Sequence, residues 1–311
     1  MSFPLVIGRN WVRRWRHRYP VLILTHHLVS DRKHRMGMST EAFWRQVRFL
    51  RKHYRIVSLS EAAEMLQTGR VDAPSVSLTF DDGYADNFVS LRAVAEEVNI
   101  PVSLFITTQP VSQHTEFQHD VAKGDYGAFP MTWGQIRYWK SRGAEFGSHT
   151  RTHVRCGLVD EAALEDEIVG SRDDFEAKLG APPRFFAFPY GDHQNMPRRA
   201  MKVAASAYPH VLSSCGGENF PDAADTHSHL RRKKAYAEPW ELELELQSVF
   251  DLVERLKRSF RKMHDVSPSV TVELALSRHA ASVEQAITPE NGATQFVAES
   301  APGIRQLAKP Q

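Results

Sequence analysis

Val76-Ser-Leu-Thr-Phe-Asp-Asp-Gly-Tyr84 opens as a short uncharged run and closes on two acids and a glycine. A run of this length, bounded by a turn signal, reads as a buried strand. Asp and Gly tolerate the backbone angles of a turn, so the acids alone fit a plain strand ending equally well. A second stretch decides between the two readings. Gly143-Ala-Glu-Phe-Gly147 also reads as a strand, and it leads into His149-Thr-Arg-Thr-His153. Two histidines four apart would by themselves make an exposed pair on one helical face. Here, however, acids and histidines occupy equivalent places, each following a strand. In a barrel of parallel strands all such ends lie on one face, where ligands from distant segments converge. Two imidazoles and one acid would hold a divalent metal and leave the other acid for proton transfer, the pattern of a metal-assisted hydrolase.

The flanking sequence repeats the same rhythm. Val21-Leu-Ile-Leu24 reads as the first barrel strand, and Glu41–Leu50 as a helix with Phe43, Val47 and Leu50 on one stripe, capped by Ser39 or Thr40. A strand is expected at Arg55–Ser58, a helix at 60–67 capped by Ser60, a helix at 91–98 and a strand at 101–107. Residues 109–129 lack periodicity and read as a long loop on the strand-end face, a length that is often functional. Helices follow at Thr132–Lys140 and Glu161–Leu179, the second stopped by Gly180, and a strand at Phe185–Phe188 stopped by Pro189-Tyr-Gly191. A long amphipathic helix is expected from Glu241 to about His264. Strands alternating with helices imply parallel pairing through crossovers.

At 311 residues, with 42% hydrophobic and 24% charged, the chain builds and solvates a substantial core, which excludes wholesale disorder. A net charge of +2 gives no case for nucleic acid. Arg9, Arg13, Arg14, Arg16 and Arg18 cluster near the start, which leaves peripheral contact with an anionic membrane open beside the plainer reading of a solvated amphipathic segment. Two cysteines, Cys156 and Cys215, imply no disulfide framework. The N-terminal arginines precede no long apolar stretch, so neither a signal peptide nor a spanning helix is expected and a cytoplasmic protein is the default. The expected division is a basic segment over 1–20, a catalytic domain over 21–264, and a flexible or loosely packed tail over 265–311.

Taken together, Thr79-Phe-Asp-Asp-Gly-Tyr84, Gly147-Ser-His-Thr-Arg-Thr-His153 and Phe186-Ala-Phe-Pro-Tyr-Gly191 resemble, in order and spacing, the motifs of the polysaccharide deacetylases with a NodB-homology domain. Leu24-Thr-His-His27, Asn99–Phe105 and Ser228–Arg232 match more weakly, and the resemblance runs from about Val21 to Lys234. It implies an α/β fold, a distorted (β/α) barrel of about seven parallel strands, and removal of acetyl or another acyl group from the nitrogen or oxygen of a sugar. The substrate class implied is an acetylated glycan or amino sugar. By resemblance Asp81 is the general base, and Asp82, His149 and His153 hold a divalent metal, Zn²⁺ in the first instance with Co²⁺ or others as alternatives. The resemblance also gives Tyr190 a part in holding the oxyanion through its amide N–H, with its ring lining the pocket. One carboxylate and two imidazoles leave coordination positions open, as a catalytic site requires.

Two departures bear on activity. Many relatives carry an Arg two residues before the Pro of the third motif, where it orients the catalytic Asp; here that position is Ala187, as in a group of bacterial relatives, and Arg184 is no assured replacement. The late His that serves as general acid in many relatives has no clean counterpart: His227 and His229 are near, yet Leu230-Arg-Arg232 resembles relatives with Arg there. His27 could face the same pocket or be a structural histidine. Two other functions therefore stay open, a glycan-binding barrel without turnover and a hydrolase of non-sugar, non-peptide C–N bonds.

Overall fold

In a computed structural model of the chain, the described residues are 3–221, 223, 228–253 and 257. The chain divides into two units, Met1–Arg255 and Leu256–Gln311. The expected 265–311 tail and the helix beyond Val253 lie outside the described residues, apart from Lys257.

Two strands set the frame. β1 (Val21–His26) and β5 (Ser75–Phe80) are buried along their whole length and run parallel in the register Val21↔Ser75 to His26↔Phe80. Burial on both faces is what a parallel strand under crossover helices requires. In chain order the elements are α1 (Phe3–Trp15), β1, β2 (Leu28–Val29), β3 (Gly37–Met38), α2 (Thr40–His53), β4 (Arg55–Ile56), α3 (Leu59–Thr68), β5, α4 (Ala85–Ser90), β6 (Ser103–Ile106), α5 (Thr108–Gln113), α6 (Gln118–Val121) and α7 (Trp133–Ser141). There follow β7 (Glu145–Ser148), α8 (Glu161–Glu165), α9 (Ser171–Leu179), β8 (Phe185–Ala187), α10 (Arg198–Ala207), β9 (His210–Ser213), β10 (His229–Arg231), β11 (Lys233–Lys234) and α11 (Pro239–Leu246). The main sheet runs β10-β9-β8-β7-β6-β5-β1-β11, with β4 beside β5. Since β10 pairs with β9 and β11 with β1, the short stretch 229–234 joins the two ends of the sheet and nearly closes the barrel. This is the expected (β/α) barrel, with eight strands on the path instead of about seven.

Alternation along the strands separates the core into layers. Leu22, Leu24, Val76, Leu78, Phe80, Leu104 and Ile106 pack outward with Phe43, Val47 and Leu50 of α2 and with Ile136 and Trp139 of α7. Val21, Ile23, Phe105, Phe185, Ala187, Leu212 and Leu230 pack on the other side, together with Leu59, Ala62, Ala63 and Leu66 of α3. The intervening residues of β5, Ser75, Ser77 and Thr79, are buried and polar. Burial of this many large apolar side chains, at about 1.5–3 kcal/mol each relative to exposure, is the main drive for the fold.

Several element boundaries differ from the expectation for local reasons. The cap of α3 is Ser58, whose hydroxyl accepts from Glu61 N, rather than Ser60. The helix expected over 91–98 is instead α4 followed by a π-helical turn at Ala93–Glu97. The expected helix 161–179 carries a similar π-helical turn at Asp166–Gly170 between α8 and α9, and it ends as foreseen at Gly180 in the left-handed region. The supposed loop 109–129 contains α5 and α6; both are too short to show a 3.6-residue pattern. The long helix expected from Glu241 breaks after Leu246, where Ser248 takes φ 62°.

Candidate metal centre and active site

The two acids leave β5 in different directions because the backbone turns between them. Asp81 N donates to His26 O, continuing the β1–β5 ladder, whereas Asp82 takes φ 68° and Gly83 φ 91°. The backbone angle favours glycine at 83, and a Cβ there would also press on Ile106 Cδ1 at 2.7 Å. Left-handed backbone recurs at Thr150 (66°), His153 (65°) and Tyr190 (62°). For a β-branched threonine this conformation is costly, and such residues cluster at functional sites. The strain is held from behind. Thr150 Oγ1 accepts from His153 N at 3.0 Å, and the buried carboxylate of Glu167 accepts from Arg151 N, Thr152 N and Thr152 Oγ1 at 3.0, 2.9 and 2.5 Å.

Asp82 is buried, and neither carboxylate oxygen has a hydrogen-bond partner. His153 Nε2 lies 3.2 Å and His149 Nε2 3.7 Å from its Oδ1, while His119 Nε2 lies 3.7 Å from its Oδ2. Burial would raise the Asp82 carboxyl, but the facing His153 and His119 outweigh it and hold it well below the usual range. His149 is lowered to about 4, chiefly by burial, so its ring is neutral. Its Nδ1 meets Ala187 O at 2.7 Å, and with the proton there the Nε2 lone pair points at the acids. That is the second-sphere arrangement by which a ligating imidazole is oriented. The ligand atoms of Asp82, His119 and His153 lie within 4.8 Å of one another. An orphaned buried carboxylate facing imidazoles fits a divalent cation; of the expected ligands Asp82 and His153 fall in this group, His119 joins them, and His149 stands outside it with its Nε2 3.7 Å from Asp82 Oδ1.

His119 comes from α6, in the segment read from sequence as a loop. Its ring stacks on that of His153 with centroids 3.9 Å apart. Burial would lower it, but Asp82 and Asp120 prevail and raise its pKa. Asp120 in turn accepts from Tyr84 Oη at 2.7 Å. No periodicity or known motif marked His119; only its position among Gly, Pro, His and Asp in a strand-end segment hinted at it.

Asp81 stays apart from this group. Arg232 Nη1 donates to its Oδ1 at 2.6 Å and Nη2 to its Oδ2 at 2.9 Å, with both side chains almost wholly buried. The same guanidinium donates to Thr79 Oγ1, Ser214 Oγ and Ser213 O, so it is held by the polar inner positions of β5 and by the end of β9. Burial would raise the Asp81 carboxyl, yet Arg232 and His149 overcome it and keep it below the usual range. The partner missing at Ala187 is therefore supplied by Arg232, in the stretch between β10 and β11 that joins the two ends of the sheet. Arg184 instead lies over the Phe185 ring and reaches Ser60, away from the site. This answers one of the two departures that motivated a barrel without turnover, the other being the general acid.

Tyr190 lies against His153, ring centroids 4.9 Å apart, and lines a cavity of about 620 Å³ that also takes in His27, Asp81, Asp82, His119 and His153. His229 is turned to Ser213 Oγ at 2.9 Å and is absent from the cavity wall; His227 lies outside the described residues. His26, beside His27, is a structural histidine, buried between Gln46 and Thr79.

The family model described as polysaccharide deacetylase matches residues 68–208. A curated gellan lyase of a Bacillus species is similar at 25% identity over 173 residues, which is 55% of this chain and 6% of that much longer protein. Among solved structures, IcaB from Ammonifex degensii shares the fold with a TM-score of 0.60 at 20% identity, covering 73% of this chain and 97% of that one. The Streptococcus pyogenes deacetylase PplD, solved with acetate, gives 0.58 at 18% identity, covering 74% and 98%. A de-N-acetylase from Aggregatibacter actinomycetemcomitans gives 0.58 at 18% identity, covering 74% and 99%. The matched stretch 68–208 contains all three motifs, which stand at the strand ends of one barrel, so over this part of the chain the protein is similar to the polysaccharide deacetylase family.

Proposed function

We propose that this protein hydrolyses the acyl group, acetyl in the first instance, from an N-acylated sugar of a glycan, with Asp81 as general base. The observation that carries this reading is the contrast between the two neighbouring acids: Asp82 has no hydrogen-bond partner and faces imidazoles, whereas both oxygens of Asp81 are fixed by Arg232. One acid is suited to hold a cation and the other to accept a proton. Asp82, His149 and His153, with His119 beside them, would hold the divalent metal, Zn²⁺ being the first choice for this donor set. When bound, it would polarise the acyl carbonyl and make an attacking water more acidic.

The chain's own residues supply the rest. Asp81 Oδ takes the proton of the attacking water, and Arg232 keeps the carboxylate ionised and aimed. The Tyr190 amide, at the left-handed turn after β8, would help hold the developing oxyanion, as the resemblance implies, and its ring lines the cavity. The leaving nitrogen then needs a proton, and His27, which lines the cavity and lies outside the group around Asp82, would deliver it. No helix of the described residues is long and apolar enough to cross a membrane.

The test is release of acetate from chito-oligosaccharides and other acetylated glycans by protein loaded with Zn²⁺ or Co²⁺. Asp81→Asn should lower kcat by about 10²–10⁴-fold, the usual contribution of a positioned base, at unchanged metal content. If metal is bound but no acyl-sugar yields acetate, the reading is wrong.

A further inference from the structure

The charged side chains around the cavity are unequally matched. Arg35, Lys123, Arg155 and Lys234 line it, against Asp81, Asp82 and Asp192. Each acid is already engaged. Asp81 is closed by Arg232, Asp82 faces the imidazoles, and Asp192 Oδ1 accepts from Gln194 N, Asn195 N and Asn195 Nδ2. Among the bases Arg35 has carboxylates nearby, Asp125 at 3.3 Å and Asp120 at 3.8 Å. Lys123, Arg155 and Lys234 have no carboxylate within 4.0 Å among the described residues. They are held against aromatic rings instead: Arg155 lies 3.9 Å and Lys123 5.9 Å from the Tyr190 ring centroid, and Lys234 lies 4.8 Å from that of Tyr236.

Three like charges at one opening repel one another, and a cleft lined by one sign focuses the potential on a ligand of the other. Ordinary surface lysines would be interspersed with acids. Here the aromatic contacts keep two of the cations on the very ring that packs against His153, so the charge is held beside the reacting group. A guanidinium lying on a ring still presents its N–H edge, the geometry that suits a carboxylate or phosphate.

We propose that the substrate carries an oxyanion, a carboxylate or a phosphate, on the acylated sugar or its immediate neighbour, and that Lys123, Arg155 and Lys234 recognise it. This rests on the deacetylase reading and narrows it. A neutral chitin-like strand would leave the three cations unmatched.

The test compares matched substrates: chitotriose peracetylated on nitrogen against hyaluronan tetrasaccharide for the uronate, and N-acetylglucosamine against its 1-phosphate. The expected result is a kcat/KM at least about tenfold higher for one anionic member of a pair, the factor a charge-assisted hydrogen bond supplies. Preference for the uronate or for the phosphate identifies the anion. The preference should shrink at 0.5 M NaCl, and the triple variant Lys123→Ala/Arg155→Ala/Lys234→Ala should bring the ratio toward one, while Arg155→Lys alone retains part of it. Using the ratio cancels any disturbance of Tyr190. A wild-type ratio at or below one in both pairs, or a ratio that the triple variant leaves unchanged, overturns the proposal even though acetate is released. Where no substrate turns over, the deacetylase reading fails, and salt-dependent binding of the four compounds by calorimetry decides on the anion independently: preferential, variant-sensitive binding of an anionic member supports it, and equal binding refutes it.

Discussion

Replacing Arg232 by methionine would keep most of the side-chain volume and remove the charge. Asp81 would then be a buried carboxylate without a counter-ion, and Thr79 Oγ1 and Ser214 Oγ would lose a donor. Breaking a buried pair from one side costs about 3–5 kcal/mol. For a domain of this size that corresponds to a fall in Tm of about 10 °C. The sign with pH follows from Asp81. In the wild type its pKa is depressed, so the pair's stability is present above the unfolded value of 3.8 and is lost as pH falls through the folded one. In the variant the uncompensated carboxyl protonates more easily, so the gap between variant and wild type should narrow from pH 7 toward pH 5. Urea denaturation of chelator-treated protein at both pH values measures this. Arg232→Met/Asp81→Asn should recover part of the loss, since no buried charge remains, and Arg232→Lys should fall between because an ammonium cannot replace the two-pronged contact. Activity should drop by about 10²-fold in Arg232→Met, the scale of a misplaced catalytic group. If Arg232→Met lay within about 1 kcal/mol of the wild type at pH 7 and kept its kcat/KM, the claim that Arg232 positions Asp81 would be refuted.

Metal analysis of Asp82→Ala, His153→Ala, His149→Ala and His119→Ala should show loss in the first three and weakened binding in the fourth; full retention in His149→Ala would take that residue out of the site. Cys156 is fully buried and its thiol is pushed up to about 12 by burial; because the unfolded thiol ionises near 9.0, its contribution to stability is intact below that value and is lost as pH rises from 9 to 12. At pH 8 a thiol reagent should therefore label Cys156 only on unfolding, and labelling of both cysteines in the native protein would contradict the packing. Gly147→Ala would place a Cβ 2.4 Å from Phe105 Cε1 and 2.9 Å from Phe185 O, and overpacking against backbone should cost about 1–3 kcal/mol or more, read as a lowered urea midpoint.

Much of the scaffold was legible because it depends on local pattern. The alternating strand and helix rhythm, the Phe43, Val47, Leu50 stripe, the Thr132 cap and the Gly180 stop all follow from neighbours in sequence, and all are present. So are the acids after β5 and the histidines after β7, since a strand delivers whatever follows it to the same end of the barrel. Less was legible where length or strain intervened. Helices α5 and α6 show too few turns for a period to register, and π-helical turns leave no mark in composition.

What the sequence determined by itself was the resemblance to a family, the parallel barrel and the residue types available at its strand ends, because these follow from periodicity and from motifs within a few residues. Tertiary structure decided which groups meet. Arg232 and Asp81 are separated by most of the barrel in sequence, and they face each other only because residues 229–234 close the sheet beside β1 while the small polar residues of β5 leave room for a guanidinium. His119 reaches Asp82 in the same way, from a helix of four residues. Contacts of that kind depend on closure of the whole sheet, and no local pattern encodes them.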